Sequence, residues 1–452
     1  MFNKKFVVFL VAVVLVIAAL SIWLLQPPTS SFDHRSTAVA MPSEDQIKQG
    51  EYLARLGDCV ACHSVPHQPP FTGGLAMPTP IGKIYTTNIT PDKATGIGNY
   101  SLADFDRALR HGVAKDGHRL YPAMPYPSYQ KMSDEDVQAL YAFMMYSVKP
   151  VSRENTPSSI PWPLSMRWPL AFWDAAFAHG TSYQAQTGKD ALWNRGAYLV
   201  EGLGHCGSCH TPRGLAFNEK GLTGESEHFL AGAELDGWYA PSLRDDANTG
   251  MSRWNEQDIV DFLKQGRNQH SVVFGSMTEV YNNSTQFFTD RDRQAIAHYL
   301  KSLPAGSQNS GSAWRYQPEI ASATEGDHDL SSPSTGEQLY VMRCASCHQA
   351  DGRGQAPWIP PLAGATSMNI NGISASNIVL NGSARVVSEG IPDTYRMPAF
   401  RAQLSDREIA EVLNFVRNQW GNQGEAVTEK EVHSLRSKSA PASTDIEVLR
   451  MH

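Results

Sequence analysis

Three short stretches hold the residues best suited to chemistry: Cys59-Val60-Ala61-Cys62-His63, Cys206-Gly207-Ser208-Cys209-His210 and Cys344-Ala345-Ser346-Cys347-His348. Two thiols separated by two residues, with an imidazole next in line, suit three kinds of site. They could clip a metal ion, run a dithiol couple or attach a c-type haem. On a helical turn both sulfurs face one edge of a flat macrocycle, where each can add to a vinyl group as a thioether. The imidazole that follows can swing under the ring and ligate iron. A structural zinc site wants four ligands, commonly from two such pairs, and three pairs on three repeats do not divide into tetrahedra. A thioredoxin-like dithiol wants a βαβ context, which this chain lacks. The three pairs account for all six cysteines. They point to covalent haem at Cys59, Cys62, Cys206, Cys209, Cys344 and Cys347, with His63, His210 and His348 as proximal iron ligands.

The sixth iron position decides what such a site does. A methionine thioether there raises the potential and fills the site. Met124 in "LYPAMPYPSY" and Met397 in "TYRMPAF" each precede a proline, in irregular sequence shortly before a helical pattern. Met277 in "FGSMTEVYNNS" stands at the equivalent place without the proline. An isolated methionine is usually core filler, but recurrence at one place in three repeats favours these three as axial ligands. Met77, in "LAMPTP", is the rival to Met124 and has no counterpart elsewhere. His205 directly precedes Cys206, and His111 and His118 flank a polar stretch, so these three read as helix-end or solvated residues.

The elements that must position these residues repeat as well. "GEYLARLGDCVACHS" starts at Gly50, "GAYLVEGLGHCGSCHT" at Gly196 and "GEQLYVMRCASCHQ" at Gly336. Each is a short helical lead-in to a cysteine pair. Each repeat closes on Ser or Thr, acidic residues and an apolar helical pattern, beginning at Ser133, Thr289 and Ser405. Those side chains can cap the free N–H groups of a helix start. A middle helix recurs in "SLADFDRALRHG" and "WNEQDIVDFLKQG", more weakly in "SASNIVLNG". The expectation is a mainly α protein of three tandem modules over 43–155, 190–303 and 333–421, joined by linkers at 156–189 and 304–332. A polar, loosely ordered tail should occupy 422–452. The first linker carries Trp162, Trp168 and Trp173, which either pack over the modules or form a docking surface.

At the N-terminus, Lys4 and Lys5 precede an apolar run from Phe6 to Leu25 broken only by Ser21. About 20 apolar residues cross a bilayer as a helix, and flanking lysines belong on the cytoplasmic side. Residues 1–28 therefore read as a transmembrane anchor or, in the competing reading, a cleaved signal. Either way the body is exported, which places it on the periplasmic side of the inner membrane. The formal charge of −7 comes with no basic stripe, so nucleic acid is a poor partner.

With the repeats in view, the chain resembles the triheme cytochrome c subunits of membrane-bound bacterial dehydrogenases, of the alcohol, gluconate and aldehyde type. The likeness runs from about residue 43 to 421 and rests on "NITPDKATGIGNYSLADF", "GHCGSCHTPRG", "ELDGWYAPSL", "NNSTQFFTDRD" and "APWIPPLAG". It implies three class I-like cytochrome c domains with three covalent haem c groups. It also implies a catalytic partner subunit carrying PQQ, flavin or molybdopterin, and electron delivery to membrane ubiquinone. Family members match this chain at the three histidines and three methionines. They are often described with a cleaved signal, whereas this apolar run looks retainable. An electron-transfer subunit without its own catalytic site is the leading expectation. A multihaem enzyme such as a peroxidase would need an iron lacking its sixth ligand, and a stand-alone carrier would need no anchor.

Overall fold

A computed structural model describes residues 5–6, 9, 11–15, 25–33, 41–306, 316–317, 334–384, 387–388, 391–392, 396–443 and 446–452. The chain divides into two compact units. One comprises residues 1–53 and 62–184 with His452; the other comprises 54–61 and 185–451. The second and third repeats thus share a unit.

The same sequence of elements recurs. The first repeat contains α1 (Glu44–Leu56), α2 (Cys59–His63), the hairpin β1 (Ala76–Thr79) and β2 (Gly82–Tyr85), α3 (Leu102–His111), α4 (Tyr126–Tyr129) and α5 (Asp134–Tyr146). Helix α6 (Leu170–Phe177) follows in the first linker. The second repeat contains α7 (Ala191–Tyr198), α8 (Gly207–His210), β3 (Ala233–Leu235), β4 (Trp238–Ala240), α9 (Glu256–Gln265), α10 (Met277–Asn283) and α11 (Asp290–Lys301). The third contains α12 (Thr335–Arg343), α13 (Ala345–His348), α14 (Thr366–Asn369), α15 (Ile373–Asn381), the pair β5 (Val387–Ser388) and β6 (Ile391–Pro392), and α16 (Asp406–Val416). Each described sheet is a two-stranded antiparallel hairpin, so helices carry the architecture.

Local chemistry explains the helix ends. Ser133, Thr289 and Ser405 accept hydrogen bonds from the backbone N–H groups of Asp136, Asp292 and Glu408. The middle helices α3 and α9 begin on reciprocal capping boxes, Ser101 with Asp104 and Asn255 with Asp258. Both end on a left-handed glycine, Gly112 and Gly266, a conformation that costs glycine nothing. Helix α15 lacks a side-chain cap, which matches its weaker sequence signal.

The glycine that opens each lead-in marks a helix crossing. A Cβ on Gly50 would lie 1.9 Å from the Ala139 carbonyl oxygen, one on Gly196 2.0 Å from that of Ala295, and one on Gly336 2.3 Å from that of Glu411. Each lead-in helix thus packs backbone to backbone on the closing helix of its own repeat, and no larger residue fits. The second lead-in has one more residue than the first, ten steps from Gly196 to Cys206 against nine from Gly50 to Cys59. The surplus is taken up at a kink, where Gly202 leaves helical geometry (φ −108°, ψ −110°) and the Gly204 N–H bonds the Leu199 carbonyl (2.8 Å).

Within the second unit the two repeats interlock. Arg267 stacks over the Trp358 ring, 4.0 Å from its centroid. Arg253 donates to the Gly364 carbonyl and lies over Tyr316. The Tyr239 N–H donates to Ser374 Oγ (2.8 Å), and Asn377 Nδ2 donates to the Gly237 carbonyl (2.9 Å).

One expectation is corrected. The tail after Gly421 is not loosely ordered: helix α17 (Glu429–Lys438) starts on a Thr428–Glu431 capping box. Val427, Val432 and Leu435 join the core around Leu413 and Trp420, so a few apolar residues at helical spacing outweigh the polar composition. In the first linker, Trp173 packs against Tyr126 at 6.2 Å between ring centroids, while Trp162 and Trp168 are exposed. Packing therefore accounts for one of the three tryptophans. Most of the Phe6–Leu25 run lies outside the described residues. Among the described residues, no helix is long and apolar enough to cross a membrane.

Candidate haem-binding sites

Each cysteine pair sits on one helical turn. Cys59, Cys62 and His63 lie in α2, while Cys206 and Cys344 stand at the N-caps of α8 and α13, which carry the second cysteine and the histidine. Asp58 and His205, just before the first cysteine of two repeats, have positive φ. This uncommon backbone for a side-chain-bearing residue turns the chain sharply out of the lead-in.

A second apparatus recurs that sequence reasoning missed. The Nδ1–H of His63 donates to the Thr87 carbonyl (2.8 Å), that of His210 to Pro241 (2.7 Å) and that of His348 to Pro360 (3.2 Å). This bond fixes the ring orientation and tautomer and leaves Nε2 free for a metal. The carbonyl of each histidine in turn accepts from a left-handed glycine: Gly73 (2.7 Å), Gly232 (2.8 Å) and Gly354 (3.0 Å). The acceptor residues lie within "TTNIT", "YAPSL" and "WIPPL". A branched apolar residue two positions after each acceptor was the available signal. The N–H groups of Ile89, Leu243 and Leu362 bond back to Phe71, Leu230 and Gly352, which closes the loop.

Burial sets the electrostatics. It lowers the pKa of His63, His210 and His348, partly offset by the Nδ1 hydrogen bonds, so the imidazoles are held neutral, the form that ligates iron. Burial also pushes the thiols up, Cys206 to about 12, Cys209 to about 11 and Cys344 to about 11. Metal–thiolate sites favour the opposite setting. Among the described residues, no three His, Cys, Asp or Glu side chains converge as a metal cage.

The second unit contains a continuous cavity of about 640 Å³. It is lined by Cys206, Cys209, His210 and Met277 and also by Cys344, Cys347, His348 and Met397. Leu199, Phe262, Val273, Ile378 and Leu413 supply much of its apolar wall. The structure thus brings eight of the twelve expected ligands to one enclosure. Met277 opens α10 and packs with Val273 and Tyr281. The Met397 N–H is held by Ser383 Oγ (2.9 Å). In the first unit, Met124 lies in the turn before α4, its N–H bonded to the Tyr121 carbonyl and its own carbonyl accepting from Tyr126. The rival Met77 is engaged in the β1–β2 hairpin opposite Ile84. Of the other histidines, His205 bonds the Leu203 carbonyl (3.0 Å) and His118 pairs with Asp116 on the surface. Asp58 also lines the cavity. Burial, and then the nearby Glu279 carboxylate, raise it well above the usual carboxylate range.

These features fit covalent haem: paired thiols on one turn, a neutral imidazole with Nε2 free, an apolar enclosure and a methionine in its wall. The profile of the cytochrome c family matches residues 47–147, 194–304 and 333–420, and the chain belongs to that family. Its domains imply covalently bound haem c. Within the family, the chain is similar to a gluconate 2-dehydrogenase cytochrome c subunit from Pantoea cypripedii, 49% identical over 419 residues, 89% of this chain and 93% of that protein. It is 47% identical over 416 residues to the cytochrome c subunit of an alcohol dehydrogenase (quinone) from Gluconacetobacter polyoxogenes, covering 90% and 88%. A fructose dehydrogenase cytochrome subunit from Gluconobacter japonicus is 37% identical over 430 residues, covering 91% and 85%.

Proposed function

We propose that this chain is the electron-transfer subunit of a membrane dehydrogenase complex, holding three haem c groups and passing electrons from a catalytic partner to ubiquinone. The single observation that carries the reading is the threefold histidine apparatus, each imidazole tied at Nδ1 to a backbone carbonyl with Nε2 free. The three relatives named above, each a cytochrome subunit of a dehydrogenase, support a catalytic partner. The quinone in the name of the alcohol dehydrogenase relative supports the acceptor. The partner carries PQQ, flavin or molybdopterin.

Bound haem supplies one-electron chemistry at iron. The chain's own residues do the rest. Cys59 and Cys62, Cys206 and Cys209, and Cys344 and Cys347 would attach the three groups. His63, His210 and His348 would hold iron through nitrogen, and Met124, Met277 and Met397 through sulfur. With iron so held by the chain's own residues, the protein would tune its potential by ligand, burial and hydrogen bonding rather than bind a substrate there. The body stands on the periplasmic face of the inner membrane, attached through its N-terminal run.

The test is co-purification from membranes with the partner, followed by pyridine haemochrome analysis and intact mass. Three haem adducts per chain, reduction by the partner's substrate and reoxidation by a ubiquinone analogue are expected. A chain without porphyrin adducts, or fast carbon monoxide binding to a large share of the reduced haem, would overturn the assignment.

A further inference from the structure

From Thr156 to Ala178 the sequence contains two ionisable residues, Arg167 and Asp174, and the fold turns both inward. Arg167 donates to the Arg119 carbonyl (3.1 Å) and lies 3.5 Å from the centroid of the Tyr121 ring. Asp174 accepts from the Tyr126 hydroxyl (2.5 Å) and from Arg119 (2.5 Å). What remains outside is apolar: Trp162 is 79% exposed, Leu164 53%, Trp168 54% and Phe172 41%, with Ala175 and Ala176 also exposed on α6. A soluble surface rarely gathers large apolar side chains without a charge among them. Indole rings, with an apolar body and one N–H, concentrate where hydrocarbon meets water.

A second observation identifies what covers this face. Arg119, which holds α6 through Asp174, also donates to the Gln26 carbonyl (3.4 Å). Gln26 is the residue directly after the Phe6–Leu25 run. The chain beyond it is built into the first unit. Ser30 Oγ donates to the buried Asp106 (2.6 Å), Phe32 is buried, and Asp33 pairs with Arg107 (2.5 Å). One guanidinium therefore joins the exit of the apolar run to the aromatic helix.

We propose that the outward face of residues 161–178 lies in the headgroup layer of a lipid bilayer, as a second membrane contact beside the N-terminal run. The inference rests on the membrane attachment proposed above. A protein partner would need polar handles within the patch to fix its register, and this patch offers little beyond indole N–H groups, which the headgroup layer accepts without register. The contact sets the standing of the first unit on the membrane, whereas the N-terminal run alone would be a tether.

The six native cysteines carry haem thioethers, so one added cysteine is the single free thiol of the holoprotein. Full-length holoprotein with Ala175→Cys, or Ala176→Cys should the first fail to mature, is labelled with a nitroxide. It is reconstituted into phosphatidylethanolamine–phosphatidylglycerol vesicles, with the label at exposed Lys149→Cys as reference. Power-saturation spectra should show the α6 label gaining oxygen access and losing access to a water-soluble nickel complex severalfold relative to Lys149→Cys. If the protein pellets with the vesicles but the α6 label stays as water-accessible as the reference, the face is not lipid-seated and the inference fails while membrane attachment stands. Protection that arises only on adding the catalytic partner overturns it in favour of a protein interface. Failure to pellet overturns the attachment itself, and the inference with it.

Discussion

Most of the first repeat, its 54–61 stretch excepted, folds in one unit, while the second and third share another, and the contrast separates what a haem-binding repeat needs from what its surroundings add. All three use the same local apparatus: a glycine at the helix crossing, a cysteine pair on one turn and an imidazole tied to a loop carbonyl. The buried clamps behind that loop differ. In the first repeat, Asn88 Nδ2 donates to the Val151 carbonyl (2.8 Å). In the second, the fully buried Arg244 reaches the carbonyls of Pro304 (2.8 Å) and Phe229 (2.9 Å). In the third, Asn422 donates to the Leu362 carbonyl (3.0 Å) and accepts from the Gly364 N–H (2.8 Å). Buried backbone groups must be satisfied, but any side chain with the right reach can do it. The larger difference is the enclosure: the second and third ligand sets line one cavity, so a change at either should be felt at both.

The strongest way to test that difference is at the helix crossings. Gly196→Val should cost about 3 kcal/mol or more, since its Cβ would lie 2.0 Å from a carbonyl oxygen. Haem content should fall in the second and third repeats together, whereas Gly50→Val should deplete the first alone. Haemochrome counting with peptide mapping reads this, and loss confined to the second repeat in Gly196→Val would break the pairing argument. Next in size, Met277→Ala should lower the potential of its own haem by a sizeable part of the roughly 0.8 V that axial ligands span. It should also move the potential assigned to the third repeat, while Met124→Ala leaves both partners in place; spectroelectrochemical titration resolves the waves.

Arg267→Leu removes a cation resting on Trp358. It should destabilise the second unit by about 1 kcal/mol and leave the first unit's unfolding transition unmoved, as differential scanning calorimetry would show. The smallest effect concerns pH. Burial lowers the pKa of His270, with Asp258 opposing and Arg253 reinforcing the shift, while its ring stacks on Trp254. The unfolded chain then binds more protons than the folded one below the ordinary histidine pKa of about 6.5. Stability is therefore full above that pH and declines as pH falls through it. His270→Gln should flatten the slope of melting temperature against pH below about 6.5; an unchanged slope would assign the acid sensitivity to other groups.

Much of this was legible in the chain because it is encoded by close neighbours. Ser133, Thr289 and Ser405 cap helices because their oxygens reach N–H groups three residues on. The opening glycines flagged the lead-ins, though not their reason, which is a carbonyl on a distant helix. The Nδ1 acceptors Thr87, Pro241 and Pro360 carried only the faint mark of a branched apolar residue two positions on, since any residue presents a carbonyl and only the loop path decides which one arrives. The tail was misjudged because its composition is polar and its few apolar residues become core only when α15 and α16 are there to receive them.

By itself, then, the sequence determined the number of repeats and the spacing of each cysteine pair with the histidine that follows it, because that pattern is local and spans five residues or fewer. Only the tertiary structure decided that two ligand sets share one enclosure, that Arg167 and Asp174 turn away from an aromatic face, and that Arg119 joins this face to the exit of the apolar run. Those outcomes depend on which buried polar groups find partners far along the chain, and no local spacing encodes that.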